Sequence, residues 1–393
     1  MSRHADEAAV ERIRALIEGG ASTQLLRDGR AANEKRAFER ISAWATSHGI
    51  TRLACTTLLD RIGIPNYYAV RPAAKNSSAI ISSGKGSTDG AAILSSLFEA
   101  LERWGSERFS GDVYFGTYAE FESKLPEWLL LFPTSAPKGE PLFWVKGLEV
   151  MSGQPCLIPI ERVVFPCVPE LDCRIFQQDT NGLASGTNAV EALCAAILEI
   201  VERDVLAGLN LNNSRRVKPF SVSTDVGDIH SKFERADVEI ALFACSDYPG
   251  IPVFFAISRD DQLQWPHLFC NGSGAHLDAS IAATRALHEV SQSRATLMAG
   301  VREDIVDKFR AACADGFAAR FKSTAQWFSV GEGLFGNDIH RWNGRTFGEL
   351  LSDLLSSIKA RLPNCRIGCT FLYDSEGLYV VRAYSPDLRG LED

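Results

Sequence analysis

A paired-acid motif occurs twice in this chain, each time within an otherwise apolar segment of helical periodicity. The first copy is Glu99-x-x-Glu102-Arg103, and the second is Glu199-x-x-Glu202-Arg203. Carboxylates set into apolar helices are costly unless a cation meets them. A divalent metal ion that carries phosphate groups satisfies this requirement. The motif therefore favours a nucleotide-using enzyme.

Three predicted helices carry a polar stripe of this kind. At about 100° per residue, the acids of the first two helices fall within roughly 60° and 80° of arc, so each set shares one face. The third helix, which begins after Asp278, repeats the pattern more loosely. Hard oxygen ligands in this number suit magnesium bridging phosphates, and arginines suit the phosphate oxygens. The stripe residues are Ser95, Glu99 and Glu102; Glu191, Glu199, Glu202 and Arg203; and Arg285, Glu289 and Gln292, with Arg294 nearby.

The ordinary interpretation of such a stripe is a solvated helix face, and duplication within apolar surroundings is what favours the functional one. A Gly-rich loop at Gly84-Lys85-Gly86-Ser87 could hold phosphate through backbone N–H groups at a helix start. It lacks the G-x-x-x-x-G-K-[ST] pattern of a P-loop, so a simple turn explains it equally well. The loop Asn181–Gly186 has the same two interpretations.

Composition excludes several classes of protein. The net charge of −8 argues against a nucleic-acid partner, because phosphate backbones demand a basic surface. No long uncharged apolar run or secretory segment is present, which predicts a cytoplasmic protein without membrane attachment. The ten cysteines form no dense framework, so reduced thiols are expected. The histidines form no pair with metal-ligand spacing, which argues against a His-ligated metal.

The order of predicted elements indicates a mixed α/β (α+β) fold. Strands and helices interleave without a regular βαβ rhythm, which favours one catalytic domain, residues 48–393, after a helical N-terminal extension, residues 1–47. Two turn-rich segments, 76–90 and 177–188, are expected to be loops that open the two acidic helices. Helices are predicted over residues 5–18, 31–46, 91–104, 190–206, 278–298 and 347–361, and strands over 52–59, 67–71, 142–150, 154–159, 239–245, 253–258, 366–373 and 377–384.

Taken together, these motifs resemble the YcaO family. The matching segments are HGITRLACTTLLDRIGIPNYYAVRP at 48–72, GKGSTDGAAILSSLFEALERW at 84–104, NGLASGTNAVEALCAAILEIVERD at 181–204 and ATRALHEVSQSR at 283–294. The resemblance implies mixed and antiparallel sheets with long helices whose acidic motifs surround a nucleotide pocket. It also implies ATP and Mg²⁺ as cofactors.

The activity that the resemblance implies is ATP-dependent activation of a backbone amide in a ribosomally made peptide. The amide oxygen is phosphorylated after a nucleophile adds to the carbonyl carbon, and phosphate then leaves. External sulfide gives a thioamide, whereas a Cys, Ser or Thr side chain gives an azoline ring. The chain lacks the proline-rich C-terminal tail of many azoline-forming members, and residues 49–72 look like members found beside TfuA partners. Thioamide formation is therefore favoured, and azoline formation is the alternative.

Site residues follow from the resemblance position by position. The match does not tell which side chain, if any, is catalytic. It leaves Asn188 and Thr187 as alternatives, because the family often has Gly-Asn-Thr where this chain has Gly186-Thr187-Asn188. Arg285 stands where some relatives carry glutamine. The implied nucleotide-site residues are Lys85, Ser95, Glu99, Glu102, Asn188, Glu191, Glu199, Glu202, Arg203, Arg285 and Glu289, of which Glu99, Glu102, Glu199, Glu202 and Glu289 are the implied metal ligands.

The resemblance also implies partners. A precursor peptide is the expected substrate, and a TfuA-like or leader-binding protein is the expected partner, because the 47 residues ahead of the matched core are too few for a winged-helix module. A homodimer is compatible with the family. The rival interpretation from another class is a peptide-binding scaffold that has kept the fold without turnover.

Overall fold

The computed structural model describes residues 3–167, 170–171, 173–262, 269–300, 324–335 and 341–390. Its mixture of helices and strands agrees with the predicted class. The helices are α1 (Arg3–Ala21), α2 (Glu34–Ser47), α3 (Asp89–Glu107), α4 (Tyr118–Lys124), α5 (Ala189–Ala207), α6 (Pro219–Val222), α7 (Thr224–Arg235), α8 (Ala279–Ala299) and α9 (Phe347–Arg361). The strands are β1 (Arg52–Cys55), β2 (Asn66–Val70), β3 (Ile81–Lys85), β4 (Val113–Gly116), β5 (Leu129–Leu130), β6 (Leu142–Glu149), β7 (Pro155–Pro159), β8 (Leu183–Gly186), β9 (Arg215–Arg216), β10 (Glu239–Ala244), β11 (Val253–Arg259), β12 (Phe269–Ala275), β13 (Gly368–Ser375) and β14 (Leu378–Tyr384).

The chain folds into two compact units, and the polypeptide passes from one unit to the other several times. Unit 1 comprises Met1–Trp44, Leu101–Ala207 and Gly344–Asp393, and unit 2 comprises Ala45–Ala100 and Gly208–Asn343. The boundary at residue 100 falls inside helix α3. The division into an N-terminal extension and a catalytic domain at residues 47 and 48 stays a prediction.

Unit 1 is built on a seven-stranded sheet. The strand order is β5-β7-β6-β13-β14-β8, and β4 also pairs with β6. All of these pairs are antiparallel except β5 with β7. The predicted hairpin is confirmed as β6 and β7, and the buried Glu149 accepts hydrogen bonds from the N–H groups of Met151 and Ser152 in its turn. Helix α5 packs on β14 and β8, and helices α1 and α9 pack on α5.

Unit 2 contains two antiparallel sheets. One has the order β1-β2-β3 and the other the order β12-β11-β10-β9. Helix α8 lies along β12 and β11 and also contacts β3, so it links both sheets. Asp278 caps α8 as predicted, because its Oδ1 accepts hydrogen bonds from the N–H groups of Ser280 and Ile281. The alanine-rich inner face of α8 joins the core cluster of this unit.

Two segments expected to be loops contain strands, and one predicted strand is shorter than expected. Strand β3 lies within residues 76–90, and β8 lies within residues 177–188. Both are short, rich in Ser and Gly, and stabilised by pairing with β2 and β14, so no local signal marks them. The strand predicted over residues 52–59 ends at Cys55, and a 3₁₀ turn occupies Thr57–Leu59.

Two expectations from composition can be compared with the described residues. Among them, no helix combines the length and the apolar character needed to cross a membrane. The nine cysteines that lie in the described ranges are free thiols, and seven of them are buried. This agrees with the expectation of reduced, mostly buried cysteines.

Candidate nucleotide site

The predicted site residues lie on three strand–loop–helix segments. Strand β3 leads into α3, β8 into α5, and β12 into α8. In the first and third segments, the helix packs back onto a glycine of its own strand. A Cβ atom at Gly84 would lie 2.0 Å from the carbonyl oxygen of Ala92, and one at Gly274 would lie 2.3 Å from that of Ala282. The contact falls eight residues after the glycine in both segments, so the first and third segments share the same strand–helix packing.

We expect Gly84→Ala to destabilise unit 2, because its Cβ would overlap the backbone of α3 at Ala92 and Ser96. Overpacking of a tightly packed interior costs about 1–3 kcal/mol, and a backbone neighbour gives way less easily than a side chain. Gly19→Ala is the matched control, since a Cβ there meets nothing within 4 Å and alanine is the better helix former. Equilibrium urea denaturation measures both. A free energy of unfolding equal to that of wild type for Gly84→Ala would contradict the predicted clash.

In unit 2, strand β3 gathers residues of α3 and α8. The N–H group of Ser83 donates a hydrogen bond of 3.0 Å to Glu99 Oε2, and Gln292 Nε2 donates one of 2.6 Å to the Ser83 carbonyl oxygen. Two residues further along β3, Lys85 Nζ donates to Glu289 Oε2 at 2.7 Å. Lys85, Glu99 and Glu289, which were predicted from separate motifs, therefore lie together beside β3.

Two more predicted residues belong to the same part of unit 2. Arg285 is half-buried on α8, and its Nη1 donates a hydrogen bond of 3.1 Å to the carbonyl oxygen of Ala275. Ser95 is half-buried on α3, one turn before Glu99. Buried His288 lies beside this group; burial and the charges of Lys85 and Lys232 lower its pKa to about 4, so the imidazole is neutral at physiological pH.

In unit 1, the acidic stripe of α5 is the accessible part of an otherwise buried helix. Between Ala189 and Val205, the side chains that are not buried are Ala195, Glu199, Glu202 and Arg203. Glu199 and Arg203 form a loose ion pair, with 3.8 Å between Oε1 and Nη2. Buried residues, most of them apolar, occupy the remainder of the helix. The polar stripe predicted on α5 is therefore the half-buried face of this helix.

Glu102 of α3 is held by strand β8, which is also in unit 1. Both the N–H group and the hydroxyl of Ser185 donate hydrogen bonds of 2.9 Å to Glu102 Oε1. The same kind of hydrogen bond joins Ser83 to Glu99 in unit 2. In both cases the N–H group of a serine in a strand donates to a glutamate of α3.

Asn188 and Glu191 have structural partners in unit 1. Asn188 caps α5 by accepting from the N–H groups of Val190 and Glu191, and its amide group donates to Gly20 and Thr23. Glu191 is buried and accepts hydrogen bonds from the N–H group of Ala31 and from both the N–H group and the hydroxyl of Thr187. These contacts account for both residue types within the protein itself. A role for Asn188, Glu191 or Thr187 in nucleotide binding stays a prediction.

Other residues beside the site were missed or misinterpreted from sequence. Ser83 and Ser185 gave no signal, because their segments were expected to be loops. Gln292 lay on the predicted stripe but was not included among the ligands. Arg294 was thought suited to phosphate, but its buried guanidinium is bound by Asp60 and Asp260.

The donor set fits magnesium and phosphate chemistry. Carboxylates are the hard ligands that Mg²⁺ prefers, and Lys85 and Arg203 offer the charges that phosphate oxygens need. Within the described ranges, no three Asp, Glu, His or Cys side chains are grouped as a ready metal site. Glu99 and Glu289 belong to unit 2, whereas Glu102, Glu199 and Glu202 belong to unit 1. The joint set of five metal ligands stays a prediction.

Comparisons with known proteins agree with this chemistry. The family model described as YcaO cyclodehydratase, ATP- and Mg²⁺-binding, matches residues 83–389. A protein of Methanothermobacter thermautotrophicus is 34% identical over 290 residues, which are 72% of this chain and 75% of that protein. A protein encoded in the tfuA 3′ region of Rhizobium leguminosarum bv. trifolii is 32% identical over 70% of this chain and 69% of its own length.

A solved structure shares the fold. YcaO from Methanopyrus kandleri, bound with AMPPCP and Mg²⁺, matches with a TM-score of 0.75 and 22% identity over 93% of this chain and 94% of that chain. The matched family model defines the class as an ATP- and Mg²⁺-binding enzyme family. The chain belongs to the YcaO family. The predicted family, fold class and cofactors are thereby confirmed.

Proposed function

We propose that this protein activates a backbone amide of a ribosomally made peptide by ATP- and Mg²⁺-dependent O-phosphorylation, and that the product is a thioamide. The observation that carries the proposal is the acidic stripe of α5. Glu199, Glu202 and Arg203 occupy the accessible strip of a helix that is otherwise buried. Carboxylates are the ligands that Mg²⁺ prefers, and an arginine beside them can bind phosphate oxygens.

The chemistry explains why such a site is needed. An amide oxygen is a very poor leaving group, so direct exchange of oxygen for sulfur is slow. ATP supplies the phosphoryl group: the oxygen–phosphorus bond forms and ADP leaves. After sulfide has added to the carbonyl carbon, the carbon–oxygen bond breaks, phosphate departs and the carbon–sulfur double bond remains. The protein contributes positioning and charge neutralisation, as in other phosphoryl transfers.

The proposed ligands fall into two main groups, acids for the metal ions and cations for the phosphate oxygens. Glu99, Glu102, Glu199, Glu202 and Glu289 would hold the metal ions, and serine N–H groups already hold Glu99 and Glu102 in place. Lys85, Arg203 and Arg285 would neutralise phosphate oxygens. Gln292, held by the Ser83 carbonyl oxygen, is a further contact on the same stripe. Ser95, Asn188 and Glu191 complete the proposed nucleotide set.

Two observations bear on the product. The relative encoded in the tfuA 3′ region supports sulfur transfer with a TfuA-type partner. The family description as a cyclodehydratase supports the alternative, in which a Cys, Ser or Thr side chain of the substrate closes an azoline ring. We favour the thioamide, because sequence and relative agree on TfuA association.

Reconstitution tests the proposal. We expect the purified chain, a precursor peptide, the TfuA-type partner, sulfide and Mg²⁺-ATP to yield ADP, phosphate and a peptide whose mass has changed by exchange of one oxygen for one sulfur. Loss of one water without sulfide would establish the azoline alternative instead. A non-hydrolysable ATP analogue is the control and should give no mass change. If the chain does not bind Mg²⁺-ATP in a titration, the scaffold interpretation holds and the proposed activity is wrong.

Substrate presentation is part of the proposal. We infer that a separate leader-binding or TfuA-like protein brings the precursor peptide to this chain. A pull-down with immobilised precursor should capture the chain efficiently only when the partner is present. Tight capture of the chain alone would contradict this division of labour.

A further inference from the structure

A buried arginine lies in unit 1 beside the acidic helix α5. Arg382 is on strand β14, where it pairs with Leu183 of β8, and it is 2% exposed. Its Nε donates to the Arg162 carbonyl oxygen at 2.9 Å, and its Nη2 donates to the carbonyl oxygen and to Oδ1 of Asp179, the latter at 2.6 Å. These bonds fix the guanidinium on one side only.

The remaining nitrogen of this guanidinium is not satisfied. Nη1 of Arg382 is buried and has no hydrogen-bond partner in the described part of the chain. A buried charged donor that lacks a partner loses more than the 1–3 kcal/mol that a neutral group loses. Native structures rarely keep such a group, and one that persists calls for an explanation.

Packing brings Arg382 close to Glu199. Helix α5 packs on β14, and a Cβ atom at Gly182 would lie 2.2 Å from the carbonyl oxygen of Ala383 and 2.8 Å from Cγ2 of Ile200. Ala383, which follows Arg382, and Ile200, which follows Glu199, therefore both lie beside Gly182. Burial lowers the pKa of Arg382, whereas the charges of Asp179 and Glu199 raise it, so the guanidinium is within the field of both acids.

We propose that Arg382 is a positioning residue that orients the Glu199 carboxylate for metal binding. It is too deeply buried to meet the nucleotide, so its effect passes through Glu199, and Nη1 is the donor available for that carboxylate. Partners that orient a metal ligand typically contribute 10–100-fold to metal affinity. The inference rests on the proposed function, because it takes Glu199 as a metal ligand.

The test compares Arg382→Met and Arg382→Lys with wild type by Mn²⁺ electron paramagnetic resonance in the presence of ADP. We expect Arg382→Met to bind Mn²⁺ roughly 10–100-fold more weakly, with a changed spectrum. Arg382→Lys keeps the positive charge but loses the planar set of N–H donors of the guanidinium. Its affinity for Mn²⁺ should therefore lie between those of wild type and Arg382→Met. Arg366→Met is the matched control, since Arg366 is paired with Asp387 at the surface and should leave Mn²⁺ affinity unchanged. Affinities are referred to the folded fraction measured by circular dichroism.

The outcomes separate the inference from the proposed function. If wild type binds no Mn²⁺–ADP, the proposed function fails. If wild type binds it and folded Arg382→Met binds it equally well, the positioning role is wrong and Arg382 is structural only. If Arg382→Met does not fold, Arg382→Lys decides, and wild-type affinity in that variant overturns the inference.

Discussion

Glu202→Gln is expected to lower kcat for peptide modification by about 10³-fold or more while leaving the fold intact. A metal ion contributes several kcal/mol of charge stabilisation in the transition state, and each 1.4 kcal/mol corresponds to a factor of about ten in rate. Glutamine has the same shape as glutamate but is a much weaker ligand for a hard cation. Glu202 is half-buried on the accessible strip of α5, so the neutral side chain fits without desolvating a new charge. Steady-state kinetics with precursor peptide measures the effect.

The same result is expected for Glu199→Gln, and a control on another helix isolates the cause. Glu39 is exposed on α2, away from the acidic stripe, so Glu39→Gln should keep wild-type kcat. Mn²⁺ binding should fall in the two stripe variants and not in the control. Wild-type turnover by Glu199→Gln or Glu202→Gln would remove that residue from the metal site.

The acidic helices could be predicted from sequence because their signals are local. Apolar periodicity and the cap at Asp278 placed α5, α8 and α9 within a few residues of their observed bounds. The same periodicity grouped Glu199, Glu202 and Arg203 on one face, and in the structure these three side chains are half-buried while most of the helix is buried. Duplication of the motif was the informative signal, because two unrelated solvated helix faces rarely carry the same Glu-x-x-Glu-Arg pattern.

What could not be predicted depends on pairing between distant segments. Strands β3 and β8 exist through β2 and β14, so the serine N–H groups that hold Glu99 and Glu102 had no local signal. Asn188 resembled a ligand in sequence, yet its spacing before Glu191 also suits a helix cap, which is how the structure uses it.

For Arg294, by contrast, helix geometry alone predicts that the side chain does not share the face of Arg285. Nine residues separate it from Arg285, and at about 100° per residue this places the two on opposite faces of α8. The structure agrees: Arg285 is half-buried beside the site, and Arg294 is fully buried. An arginine near an acidic stripe in sequence is a phosphate ligand only if it shares that face.

The buried Arg294 holds together three elements of unit 2. Its Nε and Nη2 donate to Asp60 at 2.8 and 3.0 Å, and Nη2 also donates to Asp260 at 2.8 Å. Arg61 completes the network with a 2.7 Å bond to Asp260. Burial would raise the pKa of Asp260, but hydrogen bonds from Arg61 and Arg294 lower it overall. The network thus ties α8, which carries Arg285 and Glu289, to the segments that follow β1 and β11.

Arg294→Met should destabilise the protein by about 3–5 kcal/mol, because it leaves the acids of a buried ionic network without their shared cation. Urea denaturation followed by tryptophan fluorescence measures the loss. Asp60→Asn in the Arg294→Met background should recover part of it, since the second change removes one unpaired buried charge.

The control for this effect is a surface pair in the other unit. Arg366→Met breaks the half-exposed pair with Asp387 and should cost less than about 1 kcal/mol, as exposed pairs generally do. The contrast is what burial predicts: the same substitution removes a guanidinium at both sites, but only at Arg294 are the remaining carboxylates cut off from water. A loss for Arg294→Met no larger than that for Arg366→Met would mean that water or backbone N–H groups compensate Asp60 and Asp260, and the network would then have no special role in holding α8.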